Sequence, residues 1–135
     1  MALTVAVLKE TAAGERRVAL VPGVAAKFIK LGVDVRMQSG AGDAIMLPDR
    51  LYQGVGFAED ATSLVRDADV VLCVQPPDPG IARAIRPGAV LISFMFGHRH
   101  PELVRALRAG EDHTRALKSL EDLLRAISGV VVSRE

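Results

Sequence analysis

The chain has 135 residues, half of them hydrophobic and only 4% aromatic, with no tryptophan. This length fits one domain, and its core has to be built from aliphatic side chains. The 17 Lys and Arg residues against 16 Asp and Glu residues give a formal net charge of +1. Such a near-neutral balance argues against binding to nucleic acid or to an anionic membrane surface.

Cysteine content and hydropathy favour a cytoplasmic location. Cys73 is the one cysteine in the sequence, so no disulfide can form within the chain, which fits a reducing compartment. Because Cys73 lies in an apolar run, we expect a small buried hydrophobic residue rather than a reactive thiol. The N-terminal segment lacks a signal-peptide pattern, and no apolar run approaches the length of about 18 residues that a membrane span needs. We therefore expect no direct membrane insertion.

The first half of the chain alternates between strand and helix patterns. Hydrophobic periodicity predicts a strand over 3–8, a helix over 22–31, a strand over 33–37 and a short helix over 48–54. Pro22 suits the first turn of its helix, and Gly32 suits the position just after its end. Within that helix, Val24, Phe28 and Leu31 fall on one face.

The second half continues the alternation. The sequence pattern there predicts a helix over 60–67 capped by Asp60 or Thr62, a buried strand over 69–74 and a proline-rich loop over 75–80. One or two helical turns over 81–85, a buried strand over 90–95 and a helix over 101–109 that ends at Gly110 follow. A further strand can be placed between the 48–54 and 60–67 helices. Strands joined by helical crossovers predict an α/β fold, a mostly parallel open sheet with helices on both faces, or Rossmann-like half-domain.

The pattern changes after Gly110, which divides the chain into a domain over 1–110 and a C-terminal helix and tail over 111–135. A second helix, predicted over 114–127, follows directly where a strand is expected. Its apolar stripe needs a partner surface and is formed by Leu117, Leu120, Leu124 and Ile127. The tail over 130–135 is compatible with a frayed end or with a last strand.

The glycine-rich segment over 39–42 follows a predicted strand and invites comparison with the dinucleotide motif G-x-G-x-x-G. Ile45 occupies the third glycine position, and we expect no helix N-terminus there to bind a pyrophosphate. We interpret the segment as a flexible turn, so that the chain has no complete NAD or NADP site of its own.

Two groups of polar residues follow predicted strands. Arg16 and Arg17 come after the first strand, at the edge of the sheet where open α/β sheets bind ligands. Arg17 could hold a carboxylate or phosphate in a bidentate manner, or the loop could simply be a solvated basic loop. His98 and His100 could bind a metal, but no acidic or cysteine partner lies at a suitable spacing, which favours surface histidines.

Four segments together resemble the N-terminal domain of the alanine dehydrogenase and NAD(P) transhydrogenase family: 5–10 (VAVLKE), 14–22 (GERRVALVP), 38–42 (QSGAG) and 68–75 (ADVVLCVQ). The resemblance covers about residues 3–110. Alanine dehydrogenases hold pyruvate with an arginine, a lysine and a histidine, whose positions match Arg17, Gln75 and Phe96. A neutral amide and a phenyl ring cannot take over a cationic contact or proton transfer, so the chain is more similar to the transhydrogenase alpha subunit. The resemblance gives Arg17 and Gln75 as candidate ligand contacts.

The resemblance implies hydride transfer from NADH to NADP+ in a complete assembly, with a location peripheral to the inner membrane through partner subunits. Residues 114–129 faintly resemble the segment that leads into the family's NAD domain, with the preceding strand missing. We therefore expect a short homologue or fragment that is not catalytic alone and that forms a homo-oligomer or binds other transhydrogenase subunits. The alternatives are a stand-alone module that binds a small carboxylate and a structural subunit-interaction domain.

Overall fold

The computed structural model describes residues 2–96 and 98–108, and these form an α/β fold around a parallel sheet of five strands with the order β3-β2-β1-β4-β5. The strands are β1 (Thr4–Val7), β2 (Asp34–Gln38), β3 (Gly56–Ala58), β4 (Val70–Leu72) and β5 (Val90–Ile92). The α-helices are α1 (Pro22–Lys30), α2 (Ala61–Arg66), α3 (Pro79–Ala84) and α4 (Pro101–Arg108), and two 3₁₀ turns cover Asp43–Ile45 and Asp49–Leu51. None of the helices in these residues could span a membrane.

Helices pack on both faces of the sheet, as predicted. Val5 and Val7 of β1 point into a cluster with Val35, Met37 and Ala25 on the side of α1. Ala6 of β1 and Leu8, just after it, point into a second cluster on the side of α2 and α3. The other members of this cluster are Leu64, Val65, Ala68, Val71 and Cys73. Burial on both faces explains why the central strands are continuous apolar runs.

The ends of α1 confirm the local signals in the sequence. Pro22 occupies its first turn, and Gly32 follows its C-cap with a φ of +84°. The amide of Gly32 donates to the carbonyl of Ile29, and the amide of Val33 donates to the carbonyl of Phe28. This pair of hydrogen bonds is a Schellman motif, in which the residue after the helix adopts a left-handed conformation that glycine tolerates best.

The face that α1 buries differs from the predicted one. Ala25 is buried, and Phe28 and Ile29 pack against the same cluster, whereas Val24 and Leu31 are 37% and 52% exposed. Most residues of α1 other than its lysines are apolar, so the periodicity alone fits more than one face. The small side chain of Ala25 allows close approach to the sheet, which selects the orientation that the structure adopts.

Several element boundaries also differ from the sequence prediction. The strand predicted over 90–95 ends at Ile92, and Phe94 is 60% exposed, because β5 is an edge strand with β4 as its neighbour in the sheet. The helix predicted over 81–85 begins at Pro79, and the one predicted over 48–54 is a 3₁₀ turn followed by a bend. The optional strand is present as β3. The predictions for residues 109–135 lie outside the described residues.

Strand order fixes where a ligand site is expected. Strands β2 and β3 extend the sheet on one side of β1, and β4 pairs with its other side. Val5 of β1 therefore lies beside both Val35 and Val70. The direction of winding therefore reverses between β1 and β4. In open α/β sheets, the crevice outside the carboxyl ends of the strands at such a reversal is the usual binding position.

Candidate functional site

Glu10 joins the loops that leave the carboxyl ends of β1 and β4. Its two carboxylate oxygens accept hydrogen bonds from the backbone amides of Val74 and Gln75, at 3.0 and 2.7 Å. These contacts connect residues 64 and 65 positions apart and hold the start of the proline-rich loop against the loop after β1. Glu10 was not among the predicted site residues, because a single acidic residue after a strand gives no signal of its distant partners.

A second carboxylate, that of Glu15, brings the two predicted site residues together. Its oxygens accept from Nε and Nη2 of Arg17, both at 2.8 Å, and from the side-chain amide of Gln75 at 2.8 Å. The backbone amide of Arg17 also donates to it, at 3.0 Å. Arg17 and Gln75 therefore lie side by side, joined through Glu15, which was not among the predicted site residues. Their contact with a ligand stays a prediction.

The electrostatics of this cluster keep Glu15 ionised. The Arg17 guanidinium and the Gln75 amide hold the pKa of the Glu15 carboxyl well below its usual range, and Glu15 in turn raises the pKa of Arg17. The Glu15 side chain is 7% exposed, whereas the Arg17 side chain is 62% exposed. Glu15 thus acts as a fixed anchor, and the outer side of the guanidinium faces solvent.

Arg17 keeps capacity to bind an anion. A guanidinium has five N–H donors, and the bidentate pair with Glu15 occupies one on Nε and one on Nη2. Nη1 has no hydrogen bond to any residue in the described part of the chain. Arg16, whose Nη2 donates to the carbonyl of Ala44 at 3.1 Å, adds a second positive charge at the position next to Arg17 in the sequence.

Two clefts open beside this cluster. One has a volume of about 560 Å³ and lies on the side of α3 and α4, where Glu10, Gln75 and His100 line it together with apolar residues. The other, also about 560 Å³, lies on the side of α1 and is bounded by Arg17 and by apolar residues of the loop ends. Arg17 therefore lines only the second, more apolar cleft.

The glycine-rich segment is a closely packed turn rather than a flexible one. The amide of Gly40 donates to the carboxylate of Asp49 at 3.0 Å, and a Cβ added at Gly42 would lie 2.3 Å from the carbonyl oxygen of Leu47. A 3₁₀ turn begins at Asp43, where no helix start was predicted, but it is only three residues long. Because an internal carboxylate already binds Gly40, this turn does not fit a dinucleotide pyrophosphate.

The remaining candidates have separate environments. Cys73 is buried as predicted, and burial raises the pKa of its thiol to about 12. His98 is exposed, and Nδ1 of His100 lies 3.8 Å from the carboxylate of Glu102. Within residues 2–96 and 98–108, no group of three or more metal-ligating side chains comes together. Phe96 has a φ of +44° and stacks on Phe94, with ring centroids 6.3 Å apart.

Comparison with known families supports the resemblance. The sequence profile described as alanine dehydrogenase/PNT, N-terminal domain, matches residues 6–132. The NAD(P) transhydrogenase subunit alpha of Cereibacter sphaeroides is 35% identical over 98 residues, which cover 71% of this chain and 19% of that protein. The alanine dehydrogenase of Bacillus subtilis is 33% identical over 107 residues, which cover 78% of this chain and 28% of that protein.

Solved structures give the same result. The transhydrogenase from Sinorhizobium meliloti superimposes with a TM-score of 0.73 at 32% identity, over 80% of this chain and 33% of that one. An L-alanine dehydrogenase superimposes with the same TM-score at 23% identity, which supports the fold alone. The chain thus spans about a third or less of the length of these relatives.

Proposed function

Because the chain belongs to the alanine dehydrogenase/PNT N-terminal domain family, we propose that it serves as the N-terminal domain of a transhydrogenase alpha-type subunit. In this role it shapes the cleft beside a nucleotide domain and contributes to subunit contacts. Hydride transfer between NADH and NADP+ is then the activity of the whole assembly. The chain itself is not catalytic alone, because the nicotinamide cofactors supply the redox chemistry and its own glycine turn does not fit them.

One observation carries the choice between the two branches of the family. Gln75 and Phe96 stand where the resemblance places the lysine and histidine of alanine dehydrogenases. Gln75 is a neutral amide committed to Glu15, and Phe96 is an exposed ring stacked on Phe94. Neither side chain can provide a cationic contact to a keto acid or move a proton, so alanine oxidation is not supported.

Chimeras test this proposal. Residues 1–108 replace the matching segment in the Cereibacter sphaeroides alpha subunit and, separately, in the Bacillus subtilis alanine dehydrogenase. We expect the first chimera, assembled with the partner subunit that binds NADP+, to retain measurable hydride transfer from NADH to an NADP+ analogue, and the second to oxidise no alanine. In the second chimera, Gln75→Lys with Phe96→His is expected to restore alanine-dependent NADH formation. Circular dichroism and gel filtration establish that each chimera is folded.

Two outcomes contradict the proposal: alanine oxidation by the unmodified second chimera, or no hydride transfer by a correctly folded first chimera. The chain on its own is expected to bind NADH weakly or not at all. A dissociation constant below about 10 µM, equivalent to about 7 kcal/mol, would contradict that expectation.

The proposed partners are other transhydrogenase subunits or a second copy of this chain, at a cytoplasmic location peripheral to the inner membrane. The sequence places the contact in 114–127, outside the described residues, where leucines recur at helical spacing. We expect light scattering to show an oligomer, and Leu120→Glu with Leu124→Glu to give a folded monomer. A monomeric wild type whose double variant unfolds would indicate that the segment packs on its own domain.

A second candidate function, binding of a small carboxylate, is favoured by the Glu15 contacts. A carboxylate already binds the Arg17 guanidinium in bidentate fashion, and the Nη1 group of Arg17 has no protein partner among the described residues. Titration calorimetry with pyruvate tests it, with Arg83→Met as the matched control for Arg17→Met, because Arg83 is exposed on α3, outside the cleft. Binding that Arg17→Met leaves unchanged would contradict this candidate.

A further inference from the structure

The cleft on the side of α1 combines one cation with apolar walls. Among the described residues that line its volume of about 560 Å³, Arg17 is the charged one. Leu72 and Val74 line the cleft from the end of β4, and Val21, Ile45 and Phe94 line it from the neighbouring loops. A volume of this size falls within the range of small-molecule sites, which typically combine apolar walls with a few polar groups.

The apolar walls are not covered by the described part of the protein. Val21, Ile45, Ile92 and Phe94 are 42%, 38%, 42% and 60% exposed, and all four line this cleft. Exposed large hydrophobic residues that share one concave surface are unusual on a soluble domain and commonly mark a binding site. Residues scattered elsewhere, such as Leu31 at the end of α1, need no such explanation.

We propose that this cleft binds a monocarboxylate with a bulky aliphatic tail, the carboxylate on Arg17 and the tail between Ile45 and Phe94. This inference rests on the second candidate function and adds the ligand class. Charge complementarity selects an anion, because Nη1 of Arg17 has no hydrogen-bond partner in the described part of the chain and none of the described residues that line the cleft is acidic. The apolar walls then favour a ligand of more than two or three carbons, since a small acid leaves them in water.

Paired ligands test the proposal on the full chain. Calorimetry compares pyruvate with 4-methyl-2-oxopentanoate, which differ in the tail and share the 2-oxo acid group. We expect the branched acid to bind about tenfold tighter or more, as additional methylene groups in an apolar pocket usually provide. Arg17→Met is expected to abolish binding of both acids, and Ile45→Ser to remove only the advantage of the branched acid.

Leu31→Ser is the matched control, because Leu31 is an exposed aliphatic residue outside the cleft and its loss should change neither affinity. Thermal melts establish that all variants are folded. Equal affinity for the two acids overturns this inference and leaves carboxylate binding intact. Binding of neither acid overturns the carboxylate function itself. A preference for the branched acid that survives in Ile45→Ser, with Leu31→Ser unchanged, places the tail elsewhere and also overturns the inference.

Discussion

Replacing Glu10 by alanine is expected to destabilise the domain substantially. The change removes two hydrogen bonds from a carboxylate to the amides of Val74 and Gln75, at 3.0 and 2.7 Å. Hydrogen bonds to charged groups contribute about 1.5–3 kcal/mol each. The site is only partly buried, so water can reach the freed amides and the lower end of this range applies. We therefore expect a loss of about 3 kcal/mol in the free energy of unfolding.

Urea unfolding followed by circular dichroism measures this loss, since the chain has no tryptophan for fluorescence. Glu10→Gln, which keeps one carbonyl acceptor, is expected to lose about half as much. Glu59→Ala is the control, because Glu59 is exposed and its side chain has no hydrogen bond among the described residues. A Glu10→Ala variant within about 0.5 kcal/mol of this control would refute the role of Glu10 as a connection between the two loops.

Other predictions concern the site and the turns around it. Because the folded state lowers the pKa of Glu15, the stability it contributes is present above the ordinary carboxyl range and lost as the pH falls below about 5, so Glu15→Gln should flatten the acid limb of a stability–pH curve. Cys73 is expected to react with iodoacetamide only in denaturant, since burial raises its pKa; rapid labelling of the native protein would contradict this. Gly42→Ala should lower the free energy of unfolding by about 2 kcal/mol or more through its clash with Leu47, whereas Gly23→Ala, whose added Cβ meets no atom within 4 Å, should raise it by up to about 1 kcal/mol. Equal melting temperatures for the Gly42→Ala variant and the wild type would show that the clash is relieved.

The sequence predicted the elements that depend on near neighbours. Pro22 and Gly32 mark the two ends of α1, because helix starts and stops are decided within a few residues. The continuous apolar run that contains β4 likewise follows from burial on both faces of a parallel sheet. Strand order could not be read from such local patterns, although alternation with helices was sufficient to predict that the sheet is parallel.

The contacts that build the candidate site were beyond prediction from local patterns. Glu10 and Glu15 contact Gln75 across 60 or more positions, and neither carboxylate differs in sequence from a solvated one. Arg17 was selected from its place after the first strand, whereas Gln75 was selected only because a family resemblance paired it with Arg17. The buried face of α1 was misjudged for a related reason, since packing against the sheet chose among faces of similar hydrophobicity.

Strand order also has a consequence for synthesis on the ribosome. Of the five strands, the central β1 is synthesised first. Its neighbour β2 begins at Asp34, and its other neighbour, β4, begins only at Val70. The face of β1 that carries Ala6 has no helix over it until α2 is made, and it lacks α3 until after β4 has been synthesised. Long-range parallel pairing of this kind slows folding and leaves hydrophobic surface exposed in the meantime. The nascent chain is therefore expected to need most protection between the synthesis of β3 and that of α3, an interval in which chaperones that bind apolar strands would act.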